Sequence, residues 1–360
     1  MLRFTRCMRG QQRSSRMNAL KYRSIMSAAA VLLACGATAQ AWHGKGHYDA
    51  TMLALRAARA DGNLPAFFAA GAGIVAHASL DPDNFTRPIA PEALHKAESP
   101  EHFFDFDVEP LAAMPLADAN IPADRYAFID LCFARDIKPS RVGLLPYAVT
   151  EWTQRLTVAL AEHRKYPGDP AIRAKCLLYA GLLSHYAADL CQPLHVTIHY
   201  DGRCGLDGKS PRSGIHAKVD ALLGKLMLDP NAPAARPALD ANALPARPAL
   251  DPNALPTGLH PAAFGAVLPA VMAEVRRSAA LVGRVYELEK QLPAETDPIT
   301  PGSAVEKFAI DRMRAAARLI ASLYVTAWQD SAAIELPWWY RRPYNPPQTK
   351  PPAEPAAGRQ

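Results

Sequence analysis

The chain has 360 residues, 49% of them hydrophobic, enough for one large or two small domains around a buried core. Forty Lys and Arg face 34 Asp and Glu, a formal net charge of +6. That excess belongs to residues 1–41, which hold Arg3, Arg6, Arg9, Arg13, Arg16, Lys21 and Arg23 and no acid; the remainder carries one net negative charge, so the basic balance is no argument for a nucleic-acid-binding face.

Residues 1–41 read as a secretory signal peptide: a basic region, an apolar run over 25–38, then Ala39-Gln40-Ala41 as the cleavage site. The basic stretch before Met17 is longer than a signal needs, which makes Met17 an alternative start. An apolar run of about 14 residues falls short of the ~20 that span a bilayer. Lipid attachment at Cys35 competes with cleavage, but Leu33 is bulky for that processing site. Cleavage between Ala41 and Trp42 predicts a secreted or periplasmic protein whose first residue is Trp42.

From 42 to 226 the pattern is helical, rich in alanine and poor in β-branched runs. Helices are expected over 47–59, 64–78, 149–163, 171–190 (ended by Gln192-Pro193) and 214–226. Residues 227–260 form an insert with an eleven-residue Pro/Ala repeat, Leu-Asp-Pro-Asn-Ala being its clearest unit. The repeat is too short for a solenoid and too proline-rich for a helix, so it reads as an extended linker. Two further helices, over 262–292 and 303–332, complete the bundle within 261–336. A proline-rich tail over 337–360 reads as disordered, with Trp338, Trp339 and Tyr340 pinning its start to the body. The expected fold is all-α, a multi-helix bundle.

Four cysteines follow the leader: Cys132, Cys176, Cys191 and Cys204. An even number in an exported chain predicts two disulfides, with three possible pairings. No Cys-x-x-Cys spacing points to thiolate metal binding or redox chemistry.

The chemistry lies in His185-Tyr-Ala-Ala-Asp189-Leu-Cys-Gln-Pro-Leu-His195. Residues four apart on a helix share a face, so His185 and Asp189 stack, and the Gln192-Pro193 turn returns His195 beside them. His216 and Asp220 repeat the spacing. One such pair is usually a surface pair; two on otherwise apolar helices, with a third histidine after a proline turn, are metal-site material. Upstream stand Trp42 and His47, then Asp81-Pro-Asp83, expected to close a helix, then His102-Phe-Phe-Asp105-Phe-Asp107. His43 sits beside the new N-terminus but does not match the spacing of the set, and His77, His95, His163, His199 and His260 read as surface or cap residues.

Over 42–226 this set resembles the superfamily of trinuclear zinc enzymes that contains fungal-type single-strand nucleases and bacterial zinc-dependent phospholipases C. The marks are Trp42 with His47 five residues on, the His-Phe-x-Asp segment at His102, His-x3-Asp-x2-Gln-Pro-Leu-His at His185, and the later His-x3-Asp. The resemblance implies three zinc ions. One would take Asp83, His102 and His185, with Asp189 bridging; a second, the Trp42 amine and carbonyl, His47 and the other oxygen of Asp189; a third, His195, His216 and Asp220. Asp83 suits the pattern better than Asp81, because Asn84 and Phe85 follow it. Asp83 and Asp189 would be the catalytic carboxylates, with water rather than a side chain as nucleophile.

Asp105 or Asp107 could orient the histidines. Asp105 also matches a base-contacting position in the nucleases. Phe103, Phe104 and Phe106 could stack a base or line a headgroup pocket, so Phe103 and Asp105 are the substrate-binding candidates. The substrate would be single-stranded nucleic acid or phospholipid, the protein a monomer with no obligate protein partner. Two departures bear on substrate. Thr86 stands where the nucleases usually carry a phosphate-holding arginine, with Arg87 next to it, and Tyr200-Asp-Gly-Arg-Cys-Gly replaces a Gly-Gly-Asn segment. A periplasmic zinc-binding protein without turnover is the competing reading. Ferritin-like Glu-x-x-His pairs, adjacent His-Asp and His-Glu-x-x-His do not occur in the required form.

Overall fold

The computed structural model describes residues 42, 44–60, 63–109, 111–114, 120–205, 208–226, 259–337 and 340. The leader with Cys35, His43, nearly all of the Pro/Ala insert, Trp338, Trp339 and the tail beyond 340 lie outside these residues. All described residues are helical or irregular, apart from an isolated bridge between Tyr200 and Gly202. The all-α expectation holds, and no described helix is long and apolar enough to cross a membrane.

Thirteen α-helices are described in chain order: α1 (Gly44–Ala60), α2 (Phe67–Ala70), α3 (Ala72–Ala78), α4 (Asp81–Thr86), α5 (Glu92–Glu98), α6 (Arg125–Phe133), α7 (Pro139–Val142), α8 (Leu145–Lys165), α9 (Pro170–Asp189), α10 (Ile215–Lys225), α11 (Val267–Ala279), α12 (Val282–Leu288) and α13 (Ala304–Asp330). Asp169 caps α9 by accepting from the Ala171 and Ile172 amides, and Pro170 fits its first turn. Ser303 caps α13 through the Glu306 amide. The helix α9 is apolar on nearly every side, which is the pattern of a helix enclosed by others. It packs against α8, α3, α13 and α1. In turn α13 packs on α1, α8 and α9, and α10 lies on α1.

Several local expectations are corrected. The helix expected over 64–78 breaks at Gly71 into α2 and α3. The long helix expected over 262–292 is two, interrupted at Ala280–Leu281, because its periodicity continues across a turn that sequence cannot see. Asp81-Pro-Asp83 opens α4 instead of closing a helix, as suits a proline in the first turn. Helix α6, capped by Asp124, is one that the sequence pattern does not predict.

The two expected disulfides do not form. Cys132, Cys176 and Cys191 are buried thiols, and Cys204 Sγ donates to the Ile198 carbonyl, 2.8 Å away. Cys176 stands in the first half of α9 and Cys191 two residues past its end, so at 1.5 Å per residue about 20 Å of helix separates them, far beyond disulfide reach. Burial pushes the Cys132 thiol up to about 11 and Cys176 up to about 12, which keeps both protonated and inert.

Candidate metal centre

Six elements converge on one buried locus. Helix α1 brings His47, the first turn of α4 brings Asp83, and a 3-10 turn over Ser99–His102 brings His102. Helix α9 brings His185 and Asp189 from its last turns, the 3-10 turn Pro193–His195 brings His195, and α10 brings His216 and Asp220. Each of these side chains is buried.

Close backbone contacts set the positions. Gly181 lies one turn before His185, and a Cβ there would meet the Val75 carbonyl at 2.5 Å and Ala78 Cβ at 2.5 Å. The bare glycine lets α3 press on α9, which carries the Ser79 carbonyl to His185 Nδ1 at 2.8 Å. On the other side Gly143, at φ 88°, passes so near Phe103 that a Cβ would stand 2.0 Å from its carbonyl oxygen. The segment after His102 is clamped there: the Leu144 amide donates to Pro100, the Asp105 amide to Val142, and the Phe104 amide to His195.

The ring orientations follow from carbonyls, which can only accept. His185 Nδ1 donates to Ser79, His195 Nδ1 to the His102 carbonyl at 2.7 Å, and His216 Nδ1 to the Tyr200 carbonyl at 3.1 Å. In each neutral ring the Nε2 lone pair is therefore turned inward. His195 Nε2 and His216 Nε2 face each other at 3.2 Å, with Asp220 Oδ2 3.1 Å from His216 Nε2 and Asp220 Oδ1 3.9 Å from His195 Nε2. His185 Nε2 stands 3.1 Å from His102 Nδ1, 3.3 Å from Asp189 Oδ2 and 3.8 Å from Asp83 Oδ1. Asp189 Oδ2 is 3.1 Å from His102 Nδ1, while its Oδ1 is 3.4 Å from His47 Nε2. The His47 and His185 rings stack at 3.9 Å.

Converging lone pairs and carboxylates repel unless a cation lies among them. Donor atoms ~2.0–2.1 Å from a tetrahedral ion stand roughly 3.3 Å from one another, and the shortest spacings here run from 3.1 to 3.4 Å. Three groups have ligand atoms all within 4.8 Å: His47 with Asp83 and His185, His102 with His185 and Asp189, and His195 with His216 and Asp220. Asp189 Oδ1, Asp220 Oδ2 and His102 Nε2 are buried without a hydrogen bond. Imidazole and carboxylate donors so arranged fit metal ions of the borderline class.

Electrostatics agree. Burial pushes Asp83 and Asp189 each up to about 7. Burial lowers His102 and His185 and, aided by neighbouring His216, holds His195 well below the usual imidazole range. Burial also disfavours the His216 cation, but Asp220 beside it prevails and raises the group. Apart from His216, the locus resists carboxylate and imidazolium charge alike, a condition that a metal cation relieves.

Of the expected residues, both imidazole–carboxylate pairs, His185 with Asp189 on α9 and His216 with Asp220 on α10, meet here with His47, Asp83, His102 and His195. Asp83 is buried, whereas Asp81 in the same helix is half-buried. Trp42 reaches the locus through its indole, whose Nε1 donates to the Ala188 carbonyl at 3.0 Å, next to Asp189. Phe104 and Phe106 are not available to a ligand: both are core residues, stacked on each other with Phe104 against Phe128. Phe103 stays half-buried. Asp105 is buried with Oδ1 lacking a hydrogen bond, and burial, then neighbouring Asp107, raise it far above the carboxylate range.

The orienting role expected of Asp105 or Asp107 falls to backbone carbonyls for three histidines. Asp107 instead accepts from Thr197 Oγ1 at 2.6 Å and the Ile198 amide at 2.8 Å, tying down the loop after His195. Gln192 joins the site beyond the expected residues: its Nε2 donates to Asp220 Oδ1 at 2.7 Å, and its Oε1 accepts the Leu194 amide. Its place between Asp189 and His195 was the available signal. His163, expected at the surface, is buried with its ring edge-on to Phe67. No family model, curated protein or solved structure matches this chain.

Proposed function

We propose that this protein is a zinc-dependent phosphoester hydrolase of the trinuclear zinc nuclease and phospholipase C type, exported after cleavage before Trp42. The observation that carries this reading is the place of Asp189, whose two oxygens face different histidines: Oδ1 toward His47, Oδ2 toward His102 and His185. A carboxylate so placed suits two neighbouring ions, with His195, His216 and Asp220 a third set 3.1–3.9 Å across. Zinc bound there supplies Lewis acidity to a phosphoryl oxygen and to the attacking water.

The chain's own residues prepare that chemistry. Ser79, His102 and Tyr200 carbonyls hold the inward-facing tautomers of His185, His195 and His216. Gln192 holds Asp220, and the Trp42 indole seats the segment before α1 where a freed amine would join His47. Half-buried Phe103 beside His102 is the aromatic surface left for a base or a lipid headgroup.

The test is metal analysis and N-terminal sequencing of the processed protein, with hydrolysis of single-stranded DNA, RNA and phosphatidylcholine before and after chelation. About three zinc ions per chain and chelator-sensitive hydrolysis of one substrate class are expected. Stoichiometric zinc with no turnover on any of them would instead favour the non-catalytic zinc-binding protein.

A further inference from the structure

Three histidines of the locus have Nδ1 bonded to a carbonyl; His102 differs. Its Nδ1 faces Asp189 Oδ2 and His185 Nε2, both at 3.1 Å. The ring's proton must then sit on Nε2 whenever Nδ1 offers its lone pair inward. That nitrogen is buried and makes no hydrogen bond. The nearby acceptor is Glu98 Oε1, 3.7 Å away, from the residue one helical turn earlier, at the end of α5. Glu98 is itself nearly buried, its side chain 14% exposed, and the Tyr186 hydroxyl donates to that same Oε1. Tyr186 follows His185 on α9, and its ring stands edge-on to His102 at 5.5 Å.

We propose that Glu98 is the positioning carboxylate of His102, the acceptor for its Nε2–H, and is held for that task by the Tyr186 hydroxyl. Ligating histidines ordinarily donate their second ring N–H as a hydrogen bond to a carboxylate or carbonyl, which fixes the ring and raises its basicity. His102 has no carbonyl for this; Glu98 is what the fold supplies. A simple ion-pair role with Arg125 does not account for Glu98, because Arg125 is engaged by Glu101 at 2.9 Å and by Glu151 at 2.8 Å. Had Glu98 been only a helix end, nothing would require a buried tyrosine to aim its hydroxyl at it.

The inference rests on the metal-centre reading, and its test separates the two. Zinc affinity of the full chain is measured by competition with a chromophoric chelator, beside the melting temperature of the metal-free protein. E98A should bind zinc ~10–100-fold more weakly while the metal-free melting temperature stays near that of the parent. E98Q, which keeps an acceptor oxygen, should recover much of the affinity, and Y186F should lose less than E98A. Unchanged affinity in E98A overturns the inference alone. So does a loss matched by destabilisation of the metal-free protein and unrelieved in E98Q, since that marks a structural role. A parent chain that takes up no zinc overturns the metal centre itself.

Discussion

Asp189 is the residue on which the locus turns. It is fully buried at the end of α9, and His47, His102 and His185 all lie within 3.4 Å of its oxygens. Replacing it with Asn keeps the shape and removes the charge that faces two histidine sets. Asp189→Asn should lower zinc affinity by more than the ~100-fold that outer partners reach, and zinc per chain should drop in metal analysis. The chelated variant should melt no lower than the chelated parent, because a buried carboxylate without a cation costs stability. A variant that retains the parent's zinc content would remove Asp189 from the centre. The His-x3-Asp spacing made this residue legible from one helical turn. Its two-sided environment was not, since His47 and His102 come from segments 142 and 87 residues away in sequence.

At the scale of elements, the locus depends on how closely α3 can approach α9. Gly181 permits that approach, and the Ser79 carbonyl and Asp83 follow α3 in the chain. Gly181→Ala places a methyl 2.5 Å from backbone at Val75, which the helices relieve only by moving apart. A cost of about 1–3 kcal/mol is expected, as for other overpacked contacts. Because Ser79 and Asp83 shift from His185, zinc affinity should fall too, read by thermal melts and chelator competition on one preparation. Loss of stability with affinity intact would show that the approach of α3 serves packing only. Helix periodicity was readable for α1, α8, α9, α10 and α13, whose apolar residues recur on one face or all round. The short α4, α5 and α7 carry too few residues for a period, yet α4 and the turn after α5 deliver Asp83 and His102. Phe104 and Phe106 misled for the same reason: alternating aromatics beside a histidine look like a ligand surface until Phe128 and the α8 start enclose them.

For the molecule as a whole, the buried titratable groups of the centre couple folding to pH, and a bound metal would enter that balance. Asp83 and Asp189 are raised by burial to about 7 from an ordinary 3.8, so their contribution to stability is full below 3.8 and lost as pH rises through about 7. His102, His185 and His195 are lowered, so they work in the opposite direction, but only below their ordinary 6.5. Above 6.5 the raised groups dominate: Asp83 and Asp189, with raised Asp105 and raised His216, all lose their contribution as pH rises. The chelated protein should therefore melt progressively lower between about pH 6.5 and about pH 8, whereas zinc, replacing those protons, should flatten the trend. Parallel melting curves with and without chelator would show that no metal occupies the locus. The sequence alone determined a helical bundle, the faces on which His185, Asp189, His216 and Asp220 stand, and a proline turn returning His195, because these follow from the 3.6-residue period and from proline's missing amide. Tertiary structure decided which ring nitrogen His185, His195 and His216 turn inward, that backbone carbonyls rather than Asp105 or Asp107 orient those rings, that Gln192 holds Asp220, and that the cysteines stay thiols. Those outcomes depend on carbonyls, burial and distances between segments far apart in the chain, and no local pattern of side chains encodes them.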